Sequence, residues 1–329
     1  MYKFGILGCG MIAGIHAKAI GAIKNARLIG VADANVEYSR AFAQKHGVKA
    51  YESYAEMLSD DIDVVCICTP SCFHAEGAIE AMRAGKHVVL EKPMALSTES
   101  ADEVIRVSDE TGKLVTVIGQ LRFSEDVQRL CSLVQENAFG RITLCNLSMK
   151  YYRSTEYYTS SPWKGRIKFD GGGALMNQGI HGIDLIEYIV GDIKGASGIV
   201  RTLSHKIEVE DTAVATVEFE CGALGVIEAS TCAYPGFERR IEIHGDRGYA
   251  VLVEDRIKKL MVNGEKQTSF GFDTVKTASD PTALESKMHK MQIKNLLRAI
   301  EGEEKLLIDA REGRRAIRVI EDIYKSSGR

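Results

Sequence analysis

The sequence predicts an α/β domain with a doubly wound parallel sheet, followed by an α+β domain with a large, mostly antiparallel open sheet. The chain has 329 residues, which is long for a single ordinary domain. Up to residue 120, apolar strand-like runs alternate with segments of helical length. Beyond that point, strand-like segments follow one another directly. We therefore expect domains at 1–120 and 121–329.

The strand-like runs of the first domain are apolar on nearly every residue, which indicates burial on both faces of a parallel sheet. They lie at 4–8, 27–33, 64–70, 86–93 and 114–120. Gly47, Gly85 and Gly112 close three of the helical segments, where a left-handed cap is wanted. Ser97 opens the last helical segment as an N-cap. The alternation and the caps together predict a sheet covered by helices.

The second domain begins with a helical segment and a long strand, and continues through an aromatic linker at 151–165. A glycine run at 171–173 then leads into a helix. Alternating strands joined by tight turns fill 197–262, and two helices at about 281–301 and 310–325 close the chain. The solvent face of a wide open sheet needs cover, so we expect a homodimer or homotetramer.

Composition excludes several classes of protein. Hydrophobic residues make up 45% of the chain and charged residues 26%, and the net charge is −3. This balance gives no reason to expect nucleic acid or an anionic membrane as a partner.

The N-terminal segment is typical of a strand and not of a signal peptide, and no apolar run is long enough to span a membrane. The eight cysteines are too sparse for a disulfide framework, and we expect a cytoplasmic protein without a metal.

The stretch GILGCGMIA has the pattern of a phosphate-binding loop between a strand and a helix. Gly8 permits the tight turn, Gly10 lets the backbone approach a pyrophosphate, and Ala13 permits close helix–strand packing. Met11 and Ile12 open the helix, whose N-terminus attracts the phosphates. Asp33 ends the next strand, where an acidic residue accepts the ribose hydroxyls of NAD and repels a 2′-phosphate. The stretch therefore predicts a Rossmann domain that binds NAD in preference to NADP.

Two later strands end in polar residues at the edge of the sheet where ligands of open α/β domains bind. The stretch CTPSCFH ends one strand and places Thr69, Pro70 and His74 near the nicotinamide. VVLEKP ends the next strand with Glu91 and Lys92, so Lys92 is predicted to point into the ligand crevice. The following proline biases Lys92 towards an extended backbone. The alternative for Lys92 is a surface lysine whose head reaches water.

The helix after the glycine run carries Asn177, His181 and Asp184 at i, i+4 and i+7, which places all three on one face of an α-helix. Their neighbours are apolar, so this face needs polar partners if it is buried. The glycines let the loop pass close to a ligand or to another backbone. The alternative is a satisfied histidine in the core. A histidine in an active site suits proton exchange near neutral pH.

These motifs together resemble the Gfo/Idh/MocA oxidoreductase family, and the resemblance covers nearly the whole chain. It implies oxidation or reduction of a sugar, sugar derivative or cyclitol at a carbinol carbon, with a nicotinamide cofactor. It also implies that Lys92 and His181 face the substrate. We expect His181 to act as acid and base and Asp184 to orient His181 or bind a substrate hydroxyl. Lys92 is expected to position and polarise the substrate oxygen, or to donate a proton if burial lowers its pKa.

The chain departs from several family members at Asn177, where those members carry aspartate. An amide binds sugar hydroxyls but cannot take a proton, so a carboxylate relay through this position is excluded. The aromatic linker adds Tyr152, Arg153 and Trp163, and Arg122 follows the last strand of the first domain. Such side chains stack on sugars or bind carboxylates and phosphates, although the linker could also simply pack the domains. A basic and aromatic rim suits a nucleotide sugar or a sugar acid, and a plain sugar is the alternative.

Two other functions use the same cofactor domain. One is a redox-neutral glycosidase that oxidises and re-reduces its substrate with bound NAD. The other is a non-catalytic NAD-sensing regulator. The presence of both Lys92 and His181 favours an enzyme, because a regulator needs neither.

Overall fold

The computed structural model describes residues 1–267 and 286–329, which form two compact units. The first unit contains residues 1–120, as the sequence predicts, but it also contains 286–314. The second contains 121–267 and 315–329. The prediction of one uninterrupted domain from 121 to 329 therefore differs from the structure. The first five residues of the helix predicted at 281–301 lie outside the described residues.

The sheet of the first unit is doubly wound and parallel, which confirms the predicted fold class. Its strands are β1 (Tyr2–Leu7), β2 (Ala26–Ala32), β3 (Lys49–Ala50), β4 (Val64–Ile67), β5 (His87–Leu90) and β6 (Val115–Val117). They lie in the order β3-β2-β1-β4-β5-β6, and every neighbouring pair is parallel. All four residues of β4 are buried, as expected for a strand covered on both faces. The two-residue β3 is too short to give a periodic signal.

The helices have the bounds α1 (Met11–Gly21), α2 (Val36–His46), α3 (Tyr54–Ser59), α4 (His74–Arg83), α5 (Thr98–Thr111), α6 (Glu125–Gln135), α7 (Thr155–Thr159), α8 (Ile167–Asp170), α9 (Ile180–Val190), α10 (Ser286–Ile300) and α11 (Ala310–Ser326). The predicted caps are confirmed. Gly47, Gly85 and Gly112 have φ of 66°, 80° and 66°. The hydroxyl of Ser97 accepts a hydrogen bond from the backbone N–H of Ser100 at 3.2 Å.

Helix α10 belongs to the first unit because its apolar face completes the core there. Ile293, Leu296 and Leu297 are buried in the same hydrophobic cluster as the strands β1 and β4. Gln292 is fully buried on this helix. Its amide N–H groups donate to the Thr116 hydroxyl at 2.9 Å and the Val117 carbonyl at 2.7 Å. A buried amide needs such partners, so this side chain fixes the helix against β6.

The sheet of the second unit is mostly antiparallel, as predicted. Its strands are β7 (Ile142–Lys150), β8 (Ile193–Arg201), β9 (Thr212–Phe219), β10 (Leu224–Ser230), β11 (Arg240–Gly245), β12 (Tyr249–Val253), β13 (Arg256–Val262) and β14 (Glu265–Lys266). The order is β14-β13-β12-β11-β7-β10-β9-β8, with a parallel pairing between β7 and β10. Burial alternates along β9, so one face is packed and the other is open.

Three further features of the described residues concern turns, cysteines and membrane spans predicted from the sequence. Asn263 and Gly264 both have positive φ, at 51° and 81°, as a two-residue hairpin turn between β13 and β14 requires. All eight cysteines lie in the described residues and are free. Among the helices of residues 1–267 and 286–329, none is both long and apolar enough to cross a membrane.

The carboxyl group of Glu187, on α9, makes the stability of the second unit dependent on pH. Burial raises the pKa of Glu187 to about 7 against opposing charges from Arg315 and Arg318. The folded chain therefore binds this proton more tightly than the unfolded chain, whose pKa is near 4.5. The stability that protonated Glu187 contributes is fully present below the unfolded pKa and is lost as the pH rises through about 7.

We predict that Glu187→Gln stabilises the protein at pH 8 but not at pH 4.5, because the amide cannot ionise. The gain at pH 8 is at most about 3.5 kcal/mol, from about 1.4 kcal/mol for each unit of pKa shift. Urea unfolding at the two pH values measures it. The exposed Glu136→Gln is the matched control, and a gain independent of pH would contradict the prediction.

Candidate active site

The phosphate loop has the geometry that the glycine pattern predicts. Gly8 has φ of +91°, and a Cβ there would lie 2.7 Å from the Cys68 carbonyl group. A Cβ on Gly10 would meet no atom within 4 Å, so space is open on that side of the loop. Gly10 caps α1 without a side-chain bond, Met11 is 63% exposed and Ile12 is half-buried. The loop therefore fits a pyrophosphate against the N-terminus of α1.

Asp33 follows β2 and is held in place by the backbone. One carboxylate oxygen accepts from the N–H of Cys9 at 2.7 Å, and the other accepts from Asn35 at 2.8 Å. The Asp33 carboxylate thus lies beside the phosphate loop. This is the position in which an acidic residue binds the ribose of NAD.

Glu91, at the end of β5, is buried in an ion pair that the sequence analysis did not predict. Its Oε1 lies 2.8 Å from His16 Nε2, and its Oε2 accepts from the backbone N–H of Lys92 at 3.2 Å. Burial disfavours the charge on each group, but each stabilises the other. Pairing with His16 lowers the pKa of Glu91 to about 2, and Cys68, Cys66 and Glu91 together raise the pKa of His16 well above its usual value. The pair fixes the turn from which Lys92 extends.

His289 of α10 completes this buried cluster in the first unit. Its ring meets that of His16 edge-to-face, with 5.4 Å between the ring centres. His16, Glu91 and His289 are the one set of three donors among the described residues that could hold a metal ion, with donor atoms within 4.8 Å of one another. The hydrogen bond between His16 and Glu91 holds the turn that carries Lys92 in place.

The residues after β4 and β5 are joined through His74. The ring of His74 is 2% exposed, with Nδ1 2.7 Å from the Pro93 carbonyl and Nε2 2.8 Å from the Thr69 carbonyl. Burial lowers the pKa of His74. The Thr69 hydroxyl is buried and has no hydrogen-bond partner in the described chain, so it suits a ligand; Pro70 and Lys92 are half-buried. A direct contact of His74 with the cofactor stays a prediction.

The glycine run of the second unit packs against other parts of the protein. Gly171 has φ of +69°. A Cβ on Gly172 would lie 2.0 Å from the Tyr324 hydroxyl, and one on Gly173 would lie 1.9 Å from the Glu210 carbonyl oxygen. The close approach that the sequence predicts is therefore to Tyr324 and to the backbone at Glu210.

The sequence predicts one regular α-helix for the segment that carries Asn177 and His181, but the structure differs. Ala174–Gly179 forms a π-helical turn, and α9 continues from Ile180. A π-turn adds one residue to a helical turn, and such turns are frequent at functional sites. Asn177, His181 and Asp184 are nevertheless all half-buried, whereas the apolar residues between them are buried.

Asp184 forms an ion pair with Arg122, two residues that the sequence analysis assigned to separate roles. Arg122 is 1% exposed and donates from Nη2 to Asp184 Oδ1 at 2.6 Å and from Nε to Oδ2 at 3.1 Å. The ring of Tyr188 lies 4.7 Å from the guanidinium carbon. Arg122 is thus built into the second unit beside α9. The roles of Arg122 in substrate binding and of Asp184 in orienting His181 stay predictions.

Arg153, in the aromatic linker, is connected to the polar side chains after the glycine run. Its Nη2 donates to Gln178 Oε1 at 2.9 Å, and Gln178 Nε2 donates to Asn177 Oδ1 at 3.0 Å. Tyr152 packs edge-to-face on Tyr234 with 5.2 Å between ring centres, and Trp163 is half-buried. The two short helices of the linker, α7 and α8, were not predicted.

Sequence comparison identifies the family. The profile of the oxidoreductase family Gfo/Idh/MocA with an NAD-binding Rossmann fold matches residues 2–118, and that of the Gfo/Idh/MocA C-terminal domain matches 127–251. The chain belongs to the Gfo/Idh/MocA family. It is therefore a dehydrogenase of a family that uses NAD, and its first unit is the NAD-binding Rossmann domain.

Similar proteins of this family include enzymes with different substrates. Myo-inositol 2-dehydrogenase of Thermotoga maritima is 30% identical over 75% of this chain and 73% of its own length. Among solved structures, the WlbA dehydrogenase of Bordetella pertussis in complex with NADH and UDP-GlcNAcA is 29% identical, with a TM-score of 0.89 over 99% of this chain and 96% of that chain. The corresponding complex from Chromobacterium violaceum is 31% identical, with a TM-score of 0.88 over 99% and 94%.

Six polar residues near the candidate site residues were not predicted from the sequence: the buried His16, His289, Glu210 and Asp211 and the half-buried Gln178 and His205. Asp211 is fully buried and accepts from the backbone N–H groups of Leu203, Ser204 and His205. Although burial opposes its charge, these donors lower the pKa of Asp211. His205 Nε2 lies 2.8 Å from the Arg153 carbonyl. Two acidic residues before an apolar strand are typical of an exposed turn, so no local pattern predicts these contacts.

We predict that Gly10→Ala weakens NAD⁺ binding about tenfold or more, about 1.4 kcal/mol, without lowering the Tm. The added methyl group meets no protein atom, but it occupies the side of the loop that a pyrophosphate approaches. Gly8→Ala should instead lower the Tm, because of its positive φ and its contact with Cys68. Titration calorimetry and thermal unfolding measure the two effects. Unchanged NAD⁺ affinity in Gly10→Ala would refute this assignment.

Proposed function

We propose that the enzyme transfers a hydride between NAD and a carbinol carbon of a sugar, sugar derivative or cyclitol, with His181 and Lys92 at the reacting centre. The placement of His181 is the main observation that supports this proposal. It is half-buried at the start of α9, after a glycine run fixed by buried contacts. Kinship to a myo-inositol dehydrogenase and to the WlbA dehydrogenases supports a polyhydroxylated substrate.

In this proposal His181 exchanges the proton of the substrate hydroxyl. Bound NAD⁺ supplies the hydride acceptor, and the hydroxyl proton must leave as the carbonyl forms. An imidazole, with an ordinary pKa of about 6.5, can take and return a proton near neutral pH. Asn177 cannot take a proton and is proposed to bind a substrate hydroxyl. Lys92 places a positive charge beside the substrate oxygen, while the buried Glu91 holds its backbone.

The linker favours an anionic substrate such as a sugar acid or nucleotide sugar. Arg153 lies 5.6 Å from the ring centres of both Tyr151 and Tyr157, and the Lys164 ammonium lies 4.1 Å from the Tyr157 ring centre. Burial lowers the pKa of Lys164. Cations over aromatic rings bind carboxylates and phosphates while the rings stack on sugars. We propose that Tyr152, Arg153 and Trp163 contribute to this recognition.

A substrate panel tests the reaction class. NADH formation is followed by absorbance with sugars, sugar acids, inositols and nucleotide sugars. Net NADH with one class supports a dehydrogenase and names its substrate. Glycoside cleavage with a tightly retained cofactor and no net NADH would instead establish the redox-neutral glycosidase. NAD binding without turnover of any compound would favour the regulator.

We predict that His181→Asn lowers kcat about 100-fold or more, the range for loss of a general base, and leaves the Kd for NAD⁺ unchanged. The reason is that asparagine can hydrogen-bond but cannot accept the proton. Steady-state kinetics with the substrate from the panel measures kcat. His244→Asn on β11 is the matched control and should leave kcat unchanged. Full turnover in His181→Asn would contradict the proposed role of His181.

We also propose a cytoplasmic homodimer or homotetramer formed through the open sheet face. Free cysteines are typical of a reducing compartment. On the face opposite the core, Ile199 is 61% exposed, Val214 53% and Leu224 59%. Ile199 and Val214 are register partners on β8 and β9, so their side chains are adjacent. Exposed apolar neighbours of this kind are typical of surfaces that subunits cover.

We predict that Ile199→Lys with Val214→Lys shifts the protein towards monomer in sedimentation velocity. Association would remove the two lysine charges from water, and the cost of this desolvation opposes the formation of the interface. Leu203→Lys, 69% exposed in the loop after β8, is the control and should leave the assembly unchanged. An unaltered sedimentation coefficient in the double variant would exclude this face as the interface.

A further inference from the structure

Glu210, just before β9, is a fully buried carboxylate in the second unit. Its Oε2 accepts from the backbone N–H of Gly173 at 3.0 Å and its Oε1 from that of Leu175 at 2.9 Å. The Tyr324 hydroxyl donates to Oε1 at 2.8 Å, and Arg329 Nη1 donates to Oε2 at 2.9 Å. Each carboxylate oxygen thus receives one backbone donor from the glycine segment and one side-chain donor from the C-terminal residues.

Steric contacts make this arrangement rigid. The Glu210 carbonyl accepts from the N–H of Ala174 at 2.8 Å, and it leaves no room for a Cβ on Gly173. The Tyr324 hydroxyl similarly excludes a Cβ on Gly172. The backbone that enters the π-turn is therefore held both by hydrogen bonds and by contact. A displacement of Glu210 would move the start of that turn.

We propose that Glu210 is a positioning residue for His181 and that Tyr324 and Arg329 hold its carboxylate in place. This inference rests on the proposed role of His181 as acid and base. His181 lies six residues beyond Leu175, whose N–H bonds to Glu210, and a continuous π-turn and helix connect the two. The helical backbone transmits a shift at the turn to the imidazole. Misplacement of a reacting group by about 1 Å can reduce a rate about 100-fold.

The test compares variants that keep side-chain size. Glu210→Gln removes the charge and turns an amide group towards donors, and Tyr324→Phe removes one of the four hydrogen bonds but keeps the ring. We expect kcat to fall about tenfold in Glu210→Gln and less in Tyr324→Phe, with KM for NAD⁺ unchanged. In both variants the ring resonance of His181 in labelled protein should move.

A matched control separates positioning from loss of stability. Tyr54→Phe removes another partly buried hydroxyl hydrogen bond, 2.7 Å to the Gly77 carbonyl in the first unit. We expect it to leave kcat and the His181 resonance unchanged. If Glu210→Gln does not fold, Tyr324→Phe decides the question.

The outcomes for the inference and for the proposed function are distinct. An unmoved His181 resonance in folded Glu210→Gln or Tyr324→Phe overturns the positioning role. A resonance that moves while His181→Asn retains full turnover supports positioning but overturns the proposed acid–base role.

Discussion

Both units of this dehydrogenase depend on one constraint: a carboxylate removed from water must be given enough N–H donors. An unpaired buried charge costs several kcal/mol, so the surrounding chain must supply partners. In the NAD-binding unit, the Glu91 carboxylate is paired with the His16 ring and accepts a hydrogen bond from the backbone N–H of Lys92. Glu210 and Asp211, adjacent in sequence and fully buried, organise two different loops of the second unit. The chain near the candidate site is therefore shaped by satisfied buried charges.

This constraint separates the polar residues of the site into two groups. His74, Glu91, Arg122 and Arg153 are almost completely buried and hold one segment of chain to another. Thr69, Lys92, Asn177 and His181 are half-buried and are supported by the first group or by the glycine run. Rigid support of this kind is what precise placement of a reacting group needs. The residues of the first group therefore hold the chain in place in addition to the ligand roles predicted for them.

The sequence predicted the features that depend on local pattern. Uninterrupted apolar runs predicted the parallel sheet, and alternation along β9 predicted the open sheet. The glycine pattern around Gly8 and Gly10 predicted the NAD-binding domain. Features that depend on long-range partners were not accessible. The pairing of His16 with Glu91 joins positions 75 residues apart, and Glu210 meets Tyr324 across 114. The π-turn at Asn177 was also missed, because hydrophobic periodicity does not reveal one extra residue in a helical turn.

The return of α10 to the first unit has a consequence for biosynthesis. The ribosome releases the first 120 residues long before residue 292, and Gln292 bonds to Thr116 across 176 positions. Domains generally fold as units, with the N-terminal one first during translation. Here the NAD-binding unit cannot acquire its last helix until the sheet of the second unit has been synthesised. Until α10 has been synthesised, the sheet of the NAD-binding unit therefore exposes the apolar surface that Ile293, Leu296 and Leu297 later cover.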